Sequence, residues 1–144
     1  MKLRSLLTIA VVFLMLPVVA QEKKEVLLND KFKGNIAAIG GDDNDYASTT
    51  LVLHHKQYAD MGTFTLDEIF PGTRIEKGAH NTTTGDWTVL KGSATDENAT
   101  VVELNAGGGK RMLYFLRLKS GNLQQLDFGL HEVKPAAKHI LKRQ

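Results

Sequence analysis

The chain has 144 residues, no cysteine and a formal net charge of +2. Lys2 and Arg4 account for that excess, so residues 21–144 hold 16 basic and 16 acidic residues. This balance argues against a nucleic-acid partner and against electrostatic attachment to anionic lipid, because both need a basic surface. The lack of cysteine excludes disulfide bonds and thiolate metal ligands.

The first 20 residues have the layout of a secretory signal peptide. Two basic residues precede an apolar run at residues 6–16, Pro17 interrupts it, and small residues lead to Ala20. We expect cleavage after Ala20 and a periplasmic or secreted protein. The apolar run is shorter than the about 20 residues that span a bilayer, so we expect no membrane anchor. Residues 21–144 then have the length of one domain.

From Val26 onward the hydrophobic pattern has a period of two residues, which is typical of strands. Leu51 and Leu53 share one face of the second predicted strand, and Phe64 and Leu66 share one face of the third. The best helix candidate is the short segment 135–141. The strands predicted after the first are residues 47–57, 61–70, 83–91, 99–105, 111–119, 122–130 and 139–142.

Turn residues separate these strands. Glycine, asparagine, aspartate and proline cluster at residues 40–45, 71–72, 96–98, 107–109 and 120–122. Short strands with turns at this spacing predict an all-β protein, a small antiparallel meander closed into a barrel or sandwich. The pattern contains no internal repeat and no sign of a second domain.

Several short motifs occur in the order found in one known family. They are an aromatic-x-Gly strand at residues 32–34, alternating threonine and leucine at 49–53, Phe64-Thr65-Leu66, Gly85-Asp86-Trp87, Leu-x-x-Leu-Asp at 123–127, and Leu141-Lys142-Arg143. Over residues 30–143 this order resembles the N-terminal domain of the NlpE-type envelope lipoproteins, also called the copper-resistance lipoprotein family. The resemblance implies a small lipocalin-like barrel in the bacterial cell envelope.

Two cysteine features of that family are missing. Where the family has Cys-x-x-Cys between its first two strands, this chain reads IAAIGGDDND at residues 36–45, and it also lacks the cysteine that is lipidated. The resemblance therefore does not extend to thiol-based copper binding, redox activity or lipid anchoring.

The histidine pair His54-His55 is the first candidate metal site. Neighbouring residues of a strand point to opposite faces, so the two rings would need help from another strand, such as His80 or His131. We expect hydrogen-bonded or solvent-facing histidines instead, and we assign no metal ligand and no cofactor.

Three further motifs are interpreted as turns, loops or chance matches and not as functional sites. Residues 42–45 (DDND) offer oxygen ligands but lack the spacing of a calcium loop, so we expect a turn. Gly107-Gly108-Gly109-Lys110 is followed by Arg111, not by the Ser or Thr of a phosphate-binding loop, so we expect a hairpin loop. The Asn-x-Thr sequences at Asn81 and Asn98 are expected to be chance matches in loops.

Catalysis has no support in the residue pattern. Ser48, Ser93 and Ser120 have no evident histidine partner, and the acidic residues are not paired by spacing. We assign no catalytic residue, and we expect Trp87 to plug one end of the core.

The leading hypothesis is a non-catalytic binding or interaction module of the envelope. Its partner would be a small hydrophobic ligand inside the barrel, as in lipocalins, or an envelope protein at an edge strand or loop. The second hypothesis is a divergent copper- or metal-handling protein. The third is an enzyme, for which a pocket with convergent polar groups would be the first sign.

Overall fold

Eight antiparallel strands form the whole described fold. The computed structural model describes residues 26–37, 46–72, 78–110, 112–133 and 139–144. The signal-peptide prediction and the acidic segment 42–45 lie outside these residues. The strands are β1 (Leu27–Ala37), β2 (Tyr46–Lys56), β3 (Met61–Phe70), β4 (Ala79–Lys91), β5 (Thr100–Asn105), β6 (Leu113–Arg117), β7 (Leu123–Leu126) and β8 (Ile140–Arg143).

The strands make a closed barrel of meander topology. Each strand pairs with its neighbour in the chain, and β8 returns to pair with β1. At this junction Phe32 lies opposite Arg143 and Gly34 lies opposite Leu141. A Cβ atom on Gly34 would collide with the carbonyl oxygen of Ile140, so only glycine lets the two backbones approach this closely. The predicted all-β antiparallel barrel is confirmed.

Alternate residues of each strand fill the interior of the barrel. Leu51 and Leu53 of β2, and Phe64 and Leu66 of β3, are each at most 2% exposed. Every second side chain of a barrel strand points inward, and the interior of a small barrel is filled by side chains. The core also contains Phe32, Ile36, Trp87, Val102, Leu104, Leu113, Phe115, Leu123 and Leu141.

Several strand boundaries differ from the prediction. The strand predicted at residues 122–130 ends at Leu126, and the one predicted at 111–119 is only Leu113–Arg117. β4 begins at Ala79, before the predicted start at residue 83, because the polar residues between them pair with β3 from Leu66 to Phe70. Pairing with β3 thus extends β4 over residues whose own preference for strand conformation is weak. The helix candidate at residues 135–141 is wrong at its end, since Ile140–Arg143 is a strand paired with β1 and β7. Residues 135–138 lie outside the described part.

The turn between β5 and β6 uses three consecutive glycines. Gly107, Gly108 and Gly109 all have positive φ angles, of 67°, 61° and 74°. Glycine adopts this backbone conformation without steric cost, which explains why the triplet falls at this turn. The expectation of a hairpin loop here is confirmed. No helix long and apolar enough to cross a membrane occurs in the part of the chain that the structure describes.

Candidate functional site

One end of the barrel contains an open cavity of about 480 Å³. We call it the cup. Its floor consists of the buried side chains Phe64, Leu66, Leu104 and Leu113. Glu68, Asn81 and Thr83 lie on its wall, with Phe70, Thr82 and Ala106. The exposed residues His80 and Lys110 lie on its rim. The cup is therefore apolar at its base and polar towards its mouth.

The cup is open because β4 is longer than β5. β5 ends at Asn105, opposite Asp86, and the chain then turns through the glycine triplet. Residues 79–85 of β4 pair with β3 and with no other strand among the described residues. In the described part of the chain, the barrel wall is consequently incomplete between this part of β4 and the β5–β6 turn.

Glu68 is the one acidic side chain that lines the cup among the described residues. It continues the inward face of β3 after Phe64 and Leu66, and only 4% of its surface is exposed. Its Oε1 atom is buried and has no hydrogen-bond partner within the described structure. This burial raises the pKa of Glu68 above its ordinary value of 4.5, because desolvation disfavours the charged form.

The neighbours of Glu68 that the structure describes do not neutralise its charge. Across the sheet it lies between Thr49 of β2 and Asn81 of β4. The Thr49 hydroxyl donates its hydrogen bond to the carbonyl oxygen of Ala47. No ion pair to Glu68 is formed by the described residues. A buried carboxyl without a partner is costly in free energy, and such groups are often found where a ligand completes the site.

The opposite end of the barrel has a second cavity, of about 400 Å³, which is lined by a polar network. Asp30 Oδ1 accepts a hydrogen bond from Arg143 Nη2 at 2.6 Å, and Asp30 Oδ2 lies 3.2 Å from His55 Nε2. The His55 ring packs edge-on against Trp87, with ring centroids 5.8 Å apart. Because these polar groups satisfy one another, this end is better explained as a seal of the barrel than as a binding site.

Trp87 lies where the sequence places it, in the core. It is 4% exposed, and its Nε1–H donates to the carbonyl oxygen of His54 at 3.2 Å. Its side chain borders the second cavity and not the cup. Trp87 is therefore buried in the core and also borders a cavity, and its role as a plug of the barrel end stays a prediction.

His54 and His55 point to opposite faces of β2, as the strand geometry predicts. His54 Nδ1 lies 2.7 Å from Asn29 Oδ1, and its Nε2 lies 3.2 Å from Thr65 Oγ1. Both rings are thus hydrogen-bonded within the sheet. Among the described residues, no group of three or more His, Cys, Asp and Glu side chains could hold a metal ion. His80 lies instead on the cup rim, 3.6 Å from Asp67.

The two Asn-x-Thr motifs have different locations. Asn98 lies in the turn between β4 and β5, but Asn81 lies within β4. The expectation that both occupy loops is therefore wrong for Asn81, because the pairing with β3 extends β4 through this polar segment.

The serines make only local contacts. Ser93 Oγ and Ser120 Oγ each accept a backbone hydrogen bond within their turns, and Ser48 is exposed on β2. None of the described contacts brings these serines to a histidine.

Sequence reasoning did not identify Glu68 or the cup. The available signal was the alternation in β3, because two steps beyond Leu66 the inward face reaches Glu68. An acidic residue at an inward position is unusual and points to a functional role. The cavity itself arises because β4 extends beyond β5 over residues 79–85, and the predicted strand began only at residue 83.

Comparison with known proteins gives no relative. No family model matches the chain. No curated protein and no solved structure matches it either.

Proposed function

We propose that the protein is a non-catalytic binding module that holds a small, largely apolar molecule in the cup. The observation that carries this proposal is an open cavity of about 480 Å³ with a floor of buried apolar side chains and one buried carboxyl in its wall. Cavities of roughly 300–1,000 Å³ with apolar linings and a few polar groups are typical small-molecule sites. Each ligand methylene buried there contributes about 0.8 kcal/mol.

The cellular setting of this proposal comes from the sequence. The signal peptide predicted at residues 1–20 and the resemblance to the NlpE N-terminal domain both favour an exported protein of the bacterial envelope. The sequence lacks the thiols on which copper binding in that family depends. A ligand carrier is therefore better supported than the metal-handling alternative, because both described candidate histidines of β2 are engaged in hydrogen bonds.

An envelope protein is the alternative partner. An extended segment of such a protein would pair with residues 79–85 of β4, whose outer edge faces no described strand. The cup favours the small ligand, because a docking edge does not require an apolar cavity behind it.

Filling the cup with a side chain is the direct test. Thr83 lines the cup, whereas the next residue, Thr84, is exposed and does not. We expect Thr83→Trp to weaken the binding of n-octanol at least tenfold, because the indole takes the space of the ligand. Thr84→Trp is the matched control on the same strand and should bind octanol like the wild type. Isothermal titration calorimetry measures both, and equal affinities in the two variants would contradict the proposal.

A further inference from the structure

The wall of the cup carries a negative group but no described positive group at the same depth. Glu68 is 4% exposed, and the cationic residue of the cup, Lys110, lies exposed on the rim. Asn81, which pairs with Glu68 across β3 and β4, is neutral. The buried part of the cup therefore has an unbalanced acidic group beside an apolar floor.

We propose that the ligand of the cup is an amphipathic amine, whose ammonium group pairs with Glu68 while its apolar body covers Phe64, Leu66 and Leu104. This inference rests on the proposed function and adds the chemical class of the ligand. An ammonium group supplies hydrogen-bond donors to the unpartnered Oε1 atom and a positive charge that no described residue provides at that depth.

The burial of Glu68 favours a ligand that carries hydrogen-bond donors. Desolvation raises the pKa of Glu68, because burial disfavours its charged form. A cation in hydrogen-bond contact would compensate for the lost hydration, as in other buried ion pairs.

Anionic ligands fit the same cavity less well. A fatty acid placed with its tail on the floor would bring its carboxylate to His80 and Lys110 on the rim, and would leave Glu68 without a partner. The reverse orientation would place two carboxyl groups side by side, which is unfavourable when both are ionised. A neutral alcohol can donate one hydrogen bond but offers no charge.

Three probes with the same apolar chain separate these classes. We would titrate the purified protein with n-octylammonium, n-octanol and octanoate, each below its aggregation limit, by isothermal titration calorimetry at neutral pH. We expect octylammonium to bind at least tenfold more tightly than octanol, and octanoate to bind most weakly. This comparison uses the wild-type protein and needs no variant.

Two variants test whether Glu68 causes the preference for octylammonium over octanol. Glu68→Gln should weaken octylammonium at least tenfold and leave octanol within about threefold, because the amide keeps the shape of the side chain and removes its charge. Glu97→Gln removes an equal charge from the exposed β4–β5 turn, at the far end of β4, and should change neither affinity.

The outcomes distinguish the two proposals. Octanol binding that equals or exceeds octylammonium binding would overturn the amine inference and leave the ligand-binding cup in place. The same holds for tightest binding of octanoate, or for octylammonium binding that is unchanged in Glu68→Gln. Absence of binding by all three probes would overturn both proposals.

Discussion

At the scale of single residues, Glu68 is the side chain whose position is least explained by folding alone. It occupies an inward position of β3 that an apolar residue could fill, as Phe64 and Leu66 do on the same face. A buried carboxyl lowers the stability of the free protein, and proteins retain such groups mainly where they have a function. The stability of the protein should therefore depend on the protonation of Glu68.

Ionisation of the buried Glu68 should lower the free energy of unfolding as pH rises. We expect Glu68→Gln to abolish this contribution. Burial raises the pKa of Glu68 in the folded state above 4.5, so at intermediate pH the folded protein binds more protons than the unfolded chain. The free energy of unfolding therefore falls as pH rises from about 4.5 through the folded-state pKa. The glutamine variant does not titrate at this position. Relative to wild type, it should be no more stable at pH 4 and more stable at pH 8.

Urea unfolding of both proteins across this pH range measures the difference. Glu97→Gln, with an equal loss of charge at an exposed site, is the control for changes in net charge. Parallel pH profiles for wild type and Glu68→Gln would show that burial of the carboxyl has no energetic consequence.

Predictions about single residues were correct where they depend only on the geometry of one strand. The opposite faces of His54 and His55 and the burial of Trp87 follow from period-two alternation, and both are observed. Glu68 was missed because its significance depends on what surrounds it. That environment is supplied by β2, β4 and the β5–β6 turn, which are distant in sequence.

At the scale of elements, the β3–β4 hairpin is the structure that creates the cup. Its outer part extends beyond β5, and side-chain contacts to Asp67 link its two strands. Thr82 Oγ1 donates to Asp67 Oδ1 at 2.6 Å, and His80 Nε2 lies 3.6 Å from the same oxygen. Hydrophobic alternation predicted β3 with its observed bounds, but predicted β4 only from residue 83. The missing part is polar, so its strand conformation comes from pairing and not from a pattern in its own sequence.

The closure of the barrel depends on the β1–β8 junction at Gly34. A Cβ atom there would collide with the carbonyl oxygen of Ile140, and β8 is only four residues long. We expect Gly34→Ala to lower the free energy of unfolding by roughly 1–3 kcal/mol, the usual cost of overpacking a well-packed site. Urea unfolding measures this change.

An exposed residue of the same strand provides the control for Gly34. Asn35→Ala places its change on the outer surface of β1 and should alter stability by no more than about 0.5 kcal/mol. Equal effects of the two substitutions would mean that the close contact between β1 and β8 does not constrain the barrel.

At the scale of the whole molecule, the two ends of the barrel are built differently. At one end, Asp30, His55 and Arg143 form a polar network beside Trp87 and line the second cavity. The other end is open and leads to an apolar floor. The sequence predicted the strands and the barrel because alternation and turn residues are local signals. It did not predict which end is open, because this depends on how far neighbouring strands overlap.

The central claim is that the cup binds a small apolar molecule, and methyl NMR tests it most directly. The leucine methyl groups of Leu66, Leu104 and Leu113 line the cup, whereas Leu123 and Leu141 belong to the same core but do not. On titration with n-octanol, we predict saturable chemical-shift changes at the first three residues and much smaller changes at the other two. Shifts spread evenly over all five leucines, or no shifts at saturating octanol, would contradict the claim.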